Sequence, residues 1–367
     1  MKKRVAALTM AAVMAVSAAG CSGGAKESGS QTETKEASAQ SDKDSGAKEE
    51  ESNWPYGQAE RKPSKEAWPQ GETLTIIVPF KAGGSADLMV RGILPYWEET
   101  AGCTFVVENR EGASTMVGSV YYQTLPADGT SIYCGTQTYL SGNQVLQGAT
   151  YDITDFDLIN MQQIDPTTIT VLDTSPYNSI EDLIKAIQEN PGKIKVGLTA
   201  GGAGSILLGI LTEAFDLDYK TIYYDSGNDF RTALMGGHID FITGSANGDM
   251  GLGDQAKVLA VCGSERNAIW PDTPCFDEVY PDLKIPGSLG SCRLFALQKG
   301  VKENYPERYE KLVETYKAAF ENPEYQKFLE SGGELAVSAY RGPEESNRLN
   351  LQLHELVVQY QDWLKEE

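Results

Sequence analysis

The chain has 367 residues, 31 Lys and Arg against 52 Asp and Glu, and a formal net charge of −21. That balance excludes nucleic acid as a partner, because phosphate binding needs a basic face. With only two histidines, His238 and His354, and no CxxC among its six cysteines, the chain has little material for histidine catalysis or a zinc site.

Residues 1–20 read as a secretory signal. Lys2, Lys3 and Arg4 precede an apolar stretch from Val5 to Ala19 that is too short for a membrane span. Small residues then lead into Cys21, the arrangement of a lipobox, so Cys21 is expected to be lipidated and to hold the protein outside the cell membrane. Residues 21–70 are rich in Ser, Gly, Ala, Glu and Lys and cannot bury enough surface to offset their ordering entropy. They read as a flexible tether reaching roughly 35–40 Å, in the style of a Gram-positive surface protein. The charges of signal and tether nearly cancel, so the folded remainder is strongly acidic.

From Gly71 onward, strand and helix signals alternate, which predicts an α/β fold with largely parallel sheets. The apolar run Leu74 to Val78 is a strand, followed by a Gly-rich turn and a helix from Ser85 to about Thr100. Phe105 to Glu108 is a second strand, Ala113 to about Leu125 a helix, and Ser131 to Cys134 a third strand. Thr168 to Leu172 reads as a crossing into a second lobe. There, Ser179 to Glu189 is a helix with Ser179 as its cap and Asp182 three residues on. Strands are expected at Lys195 to Leu198, Ile239 to Ile242 and Lys257 to Val261, and helices at Ser205 to Phe215 and Asp229 to Met235. Arg293 to Leu297 crosses back. The helical periodicity after Pro306, through Tyr309, Leu312, Tyr316, Leu351, Leu356 and Trp363, is expected to pack on the first lobe.

Two strand-to-helix turns look alike: Lys81-Ala82-Gly83-Gly84-Ser85 with Asp87, and Ala200-Gly201-Gly202 with Ser205. The first N–H groups of a helix lack internal partners and, with the helix dipole, favour an anion. In open α/β sheets ligands sit beyond the carboxyl ends of the strands, so one turn per lobe could hold a carboxylate across a cleft. Neither turn is a dinucleotide fingerprint: the first lacks GxGxxG and the second has no third glycine. No cofactor is expected. Cys103, Cys134, Cys262, Cys275 and Cys292 read as buried free thiols, with a disulfide from Cys262 to Cys275 or Cys292 as the other possibility.

In order along the chain stand Val78-Pro79-Phe80-Lys81-Ala82-Gly83-Gly84-Ser85-Ala86-Asp87, Val107-Glu108-Asn109-Arg110-Glu111-Gly112-Ala113, Ala127-Asp128-Gly129-Thr130 and Leu234-Met235-Gly236-Gly237-His238-Ile239-Asp240. This series resembles the solute-binding proteins of tripartite tricarboxylate transporters. The resemblance implies a two-lobed type II periplasmic-binding-protein architecture with two crossing strands, lobe 1 being about 71–170 plus 296–367 and lobe 2 about 171–295. It implies no catalysis. It implies capture of a small carboxylate near Ala82, Gly83, Gly84 and Ser85, with Asp87 ordering that turn, and at Gly201, Gly202 and Ser205. Thr136 would line the cleft, with Ser226 and Ser245 as further candidates, and integral-membrane permease subunits would be the partners. Lys81, Arg293 and Asp225-Ser226-Gly227 depart from the family pattern; Lys81 and Arg293 would either neighbour the ligand or face solvent. A ligand-sensing partner of a membrane histidine kinase shares the same fold, whereas a surface hydrolase lacks a GxSxG motif or a placed histidine base.

Overall fold

In this computed structural model, residues 68–224 and 226–366 are described. The expected signal, the Cys21 anchor and most of the tether lie outside the described residues. The end of that tether is part of the fold: Pro69 is buried and Trp68 packs on the first core, with the Arg308 guanidinium 5.0 Å over its ring.

The first lobe opens with β1 (Thr73–Val78), α1 (Ser85–Ala101), β2 (Thr104–Asn109), α2 (Met116–Gln123), β3 (Ser131–Thr136) and α3 (Gln137–Gln147). The long strand β4 (Phe156–Leu172) then runs into the second lobe. That lobe holds α4 (Ile180–Glu189), β5 (Lys195–Leu198), α5 (Ala203–Phe215), β6 (Lys220–Tyr223), α6 (Gly227–Met235), β7 (Phe241–Ser245), β8 (Ala256–Val261) and α7 (Phe276–Val279). The chain returns on β9 (Gly290–Gln298) and ends in α8 (Val301–Asn304), α9 (Pro306–Phe320), α10 (Pro323–Ser331), α11 (Gly342–Gln359) and α12 (Gln361–Glu366).

The strand order is β2-β1-β3-β9-β4-β7-β5-β6, with β8 also on β4. Strands β1, β2 and β3 are parallel, as are β5, β6 and β7, and the antiparallel pair β4 and β9 joins the two halves. This is the expected two-lobed α/β architecture with two crossing strands.

Alternating residues explain the layers. Ile132 and Cys134 on β3, with Phe295 and Leu297 on β9, face α1 and α9, while Leu294 and Ala296 face a second cluster with Tyr122, Tyr133 and Leu353. Trp97 anchors the first cluster. It is fully buried, packs tilted against Phe105 at 4.6 Å and edge-on to Tyr316 at 5.0 Å, and donates its indole N–H to Thr315 Oγ1. Each such apolar side chain contributes about 1.5–3 kcal/mol on burial.

Several local expectations differ from the structure; among them, helix α3 and the first part of β4, Phe156 to Thr167, carried no expected element. Helix α2 starts at Met116 rather than Ala113, because Ala113, Ser114 and Thr115 all take positive φ, in a turn held by the Asn143 amide donating to Ser114 O and Thr115 Oγ1. Strand β6 was not anticipated; it is a short, exposed edge strand without an apolar pattern. Finally, the C-terminal helices do not pack on the first lobe alone. Val357 and Leu364 belong to the second lobe's core, and Tyr360 and Trp363 lie against Gly209 of α5. Periodicity reveals that a face is apolar but not which surface receives it.

Candidate functional site

Register places the carboxyl edges of both sheets at one level. The end of β3, Thr136, pairs with Arg293 of β9, and Gln163 of β4 pairs with the same arginine. Four residues on, Thr167 of β4 pairs with Ser245 at the end of β7. The turns after β1, β3, β5 and β7 therefore all emerge around residues 163–167 and 290–293 of the crossing strands.

The first turn is built around a carboxylate. Asp87 is 1% exposed and accepts from Gly83 N at 2.8 Å, Arg91 Nε at 2.9 Å and Asn109 Nδ2 at 3.0 Å. Burial alone would raise its pKa; the hydrogen bonds from Arg91, Gly83 and Asn109 outweigh that and hold it below the usual carboxylate range. The Asn109 amide also donates to Phe80 O, so the end of β2 braces the turn. Gly83 takes φ 79°, which a side chain would resist. Two donors expected for the ligand are used inside the turn: Gly83 N by Asp87, and Gly84 N by Lys81 O. Among the described residues, the amides of Ser85, Ala86 and Asp87 meet no backbone carbonyl, so the open donors lie one step further into α1. The Lys81 side chain is 81% exposed and 3.8 Å from Glu111, facing solvent.

At the second turn, Gly201 takes φ 66° and Gly202 is the N-cap of α5. Gly202 N donates to Thr199 O and Ser205 N to Gly202 O. Ser205 is fully buried and its hydroxyl turns back on Thr199 O at 3.4 Å, so it is part of the turn's interior rather than a lining residue. Ala200 is exposed at the rim, and the amides of Ala203 and Gly204 meet no backbone carbonyl among the described residues. Gly204 lets α5 sit directly on β7: a Cβ there would overlap Thr243 Oγ1.

The other expected residues divide. Thr136 ends β3, 6% exposed, on the α1 face beside Arg293. Ser226 caps α6, its hydroxyl accepting from Asp229 N and donating to Asp229 Oδ2. Ser245 Oγ accepts from Arg231 Nη2 at 3.2 Å, and Arg231 in turn pairs with the fully buried Asp249, which also accepts from Thr168 and Thr170. The five described thiols, Cys103, Cys134, Cys262, Cys275 and Cys292, are free and buried. Burial pushes Cys292 up to about 12.

Sequence reasoning missed the bracing pair Arg91 and Asn109 and the polar crossing residues Gln163 and Asp165. The i, i+4 spacing of Asp87 and Arg91 was a readable signal. Asp165 is 4% exposed, accepts from Asn247 N at 2.8 Å, and has its pKa raised by burial.

Two α/β lobes on a pair of crossing strands, with glycine turns at a shared edge, define a periplasmic-binding-protein fold. Residues 90–347 match the family described as tripartite tricarboxylate transporter family receptor, and the chain belongs to that family. It is therefore a receptor of the solute-binding class. It is 26% identical over 242 residues to the UPF0065 protein in the tcbD-tcbE intergenic region of Pseudomonas sp. strain P51, covering 64% of this chain and 70% of that one. Among solved structures it is similar to a TctC solute-binding protein from Polaromonas (TM-score 0.67, 22% identity, 80% of this chain and 100% of that one). It is also similar to MatC from Rhodopseudomonas palustris with bound malate (TM-score 0.64, 18% identity, 80% and 98%) and to R. palustris Rpa4515 with adipate (TM-score 0.63, 21% identity, 82% and 98%). At these identities the structural likeness establishes the fold. Among the described residues no helix is long and apolar enough to cross a membrane.

Proposed function

We propose that this receptor captures a small mono- or dicarboxylate between the carboxyl edges of its two lobes and delivers it to integral-membrane permease subunits, without catalysing a reaction. The observation that carries the reading is the pair of glycine turns, one per lobe, that leave the first amides of α1 and α5 without carbonyl partners at the level of the crossing strands. Such amides, with the helix dipole, suit an anion. The malate and adipate held by two proteins of the same fold agree with that ligand class. The ligand-facing set in this reading is Ala82, Ser85, Thr136, Ala200, Gly201 and the first amides of each helix, with Gly83, Gly84, Gly202 and Asp87 shaping the turns.

The lobes in this reading are residues 71–170 plus 296–367 and 171–295, closing by hinge motion at β4 and β9. Outside the described residues, Cys21 carries the lipid and the stretch from there to residue 67 forms the tether at the outer face of the cell membrane. Metabolic labelling with palmitate tests the anchor, which must vanish in Cys21→Ala.

A thermal-shift screen tests the ligand class. A carboxylate at a hundred times its Kd adds about 2.7 kcal/mol of stability. A screen in which sugars or peptides shift the melting point and no carboxylate does refutes the reading.

A further inference from the structure

Arg293 interrupts an otherwise apolar strand, Cys292 to Leu297, and sits at the polar end of the row that includes Phe295 and Leu297. Its side chain is half-buried. Nη2 donates to Ser85 Oγ at 3.0 Å, at the first residue of α1, and Nη1 donates to Gln163 Oε1 at 2.8 Å. Gln163 is 1% exposed, and its Nε2 donates to Glu334 Oε2 at 2.9 Å. That second bond fixes which way the amide points, so the guanidinium is aimed rather than free.

No carboxylate of the described residues comes within ion-pair distance of Arg293. The nearby acids are engaged elsewhere: Asp87 by Arg91, Gly83 and Asn109, and Asp165 by the Asn247 amide. The second basic side chain near the shared edge, Arg231, is locked to Asp249. A guanidinium has five N–H donors, and two of Arg293's are satisfied. In a chain of net charge −21, a half-buried arginine with three open donors, no ion-paired carboxylate and only the Asp165 charge nearby suits an anionic guest.

We infer that Arg293 is a specificity-determining contact, clamping one carboxylate of the ligand on the first lobe together with the open amides of α1. This rests on the carboxylate-capture reading above. Among the described residues the second lobe offers its Ala200-Gly201 turn and the first α5 amides but no unpaired cation there, so the lobes are unequal: one end of the guest must be an anion, and the other end need only accept hydrogen bonds.

Titration calorimetry with adipate, its monoamide and its diamide tests this on the whole folded protein. The unmodified protein keeps affinity for the monoamide and loses it for the diamide. Arg293→Gln binds adipate roughly 10- to 100-fold more weakly and prefers it over the diamide by a correspondingly smaller factor. If Arg293→Gln keeps the original Kd and preference, the inference is overturned and carboxylate capture stands. If the unmodified protein binds neither adipate nor any carboxylate of the thermal-shift screen, both fall. A second measurement avoids any folding defect: phenylglyoxal labelling of Arg293 in the unmodified protein, mapped by mass spectrometry, is suppressed by the bound carboxylate, and labelling that bound ligand leaves unchanged refutes the contact.

Discussion

Replacing Asp87 by alanine should open the first turn. The carboxylate accepts three hydrogen bonds, from Gly83 N, Arg91 Nε and Asn109 Nδ2. Hydrogen bonds to a charged group contribute about 1.5–3 kcal/mol each. The Arg91 side chain is 40% exposed, so its share is screened. The Gly83 amide can rebind water, and the Asn109 amide keeps Phe80 O. The expected loss is about 2–4 kcal/mol, or roughly 4–8 °C in melting temperature for a domain of this size. The sign with pH follows from the depressed pKa. The carboxylate's contribution is fully present above the usual Asp value of about 3.9 and is lost as pH falls through its lower folded value. Melting curves of the two proteins should therefore run apart at neutral pH and converge on acidification. A gap below about 1 kcal/mol, or one that persists unchanged into strong acid, would refute the latch.

Asp165→Asn should act in the opposite sense. Burial raises the Asp165 pKa, so the folded state loses stability as pH rises from the usual Asp value through the raised one, and the variant should gain most, by melting temperature, above that window. Gly204→Ala forces a Cβ onto Thr243 and should cost about 1–3 kcal/mol in chemical denaturation while weakening ligand binding. Gly142→Ala within α3, where a Cβ meets nothing within 4 Å, should instead gain about 0.5–1 kcal/mol. In protein lacking Cys21, a thiol reagent should find no fast-reacting group before unfolding and five afterwards.

The two-lobed plan was legible because its strands are apolar runs ended by Gly, Pro or a hydroxyl residue, and because two similar turns recur at matching places. The motif residues also proved to have local jobs: Asn109 braces the first turn, and Asp240 accepts from Lys195 N at the start of β5. Other features were hidden for stated reasons. The left-handed run at Ala113 to Thr115 carries no glycine to announce it. Strand β6 buries too little to leave a pattern. The split of each turn's amides, with Gly83, Gly84 and Gly202 used internally, depends on which carbonyl the folded chain brings near. Arg293 was visible as a charge inside an apolar strand, but that no carboxylate pairs with it directly emerges only once Asp87 and Asp165 are seen to be hydrogen-bonded elsewhere.

The placement of Tyr360 and Trp363 on Gly209 has a mechanical consequence. Two adjacent strands form a ribbon, and a ribbon alone can both flex and twist. In the capture reading, a third attachment set off that ribbon by the width of a helix would restrict twisting and leave bending as the main freedom between the lobes. Trp363→Ala should then widen the spread of interlobe distances read by paired spin labels on the two lobes while leaving the glycine turns intact.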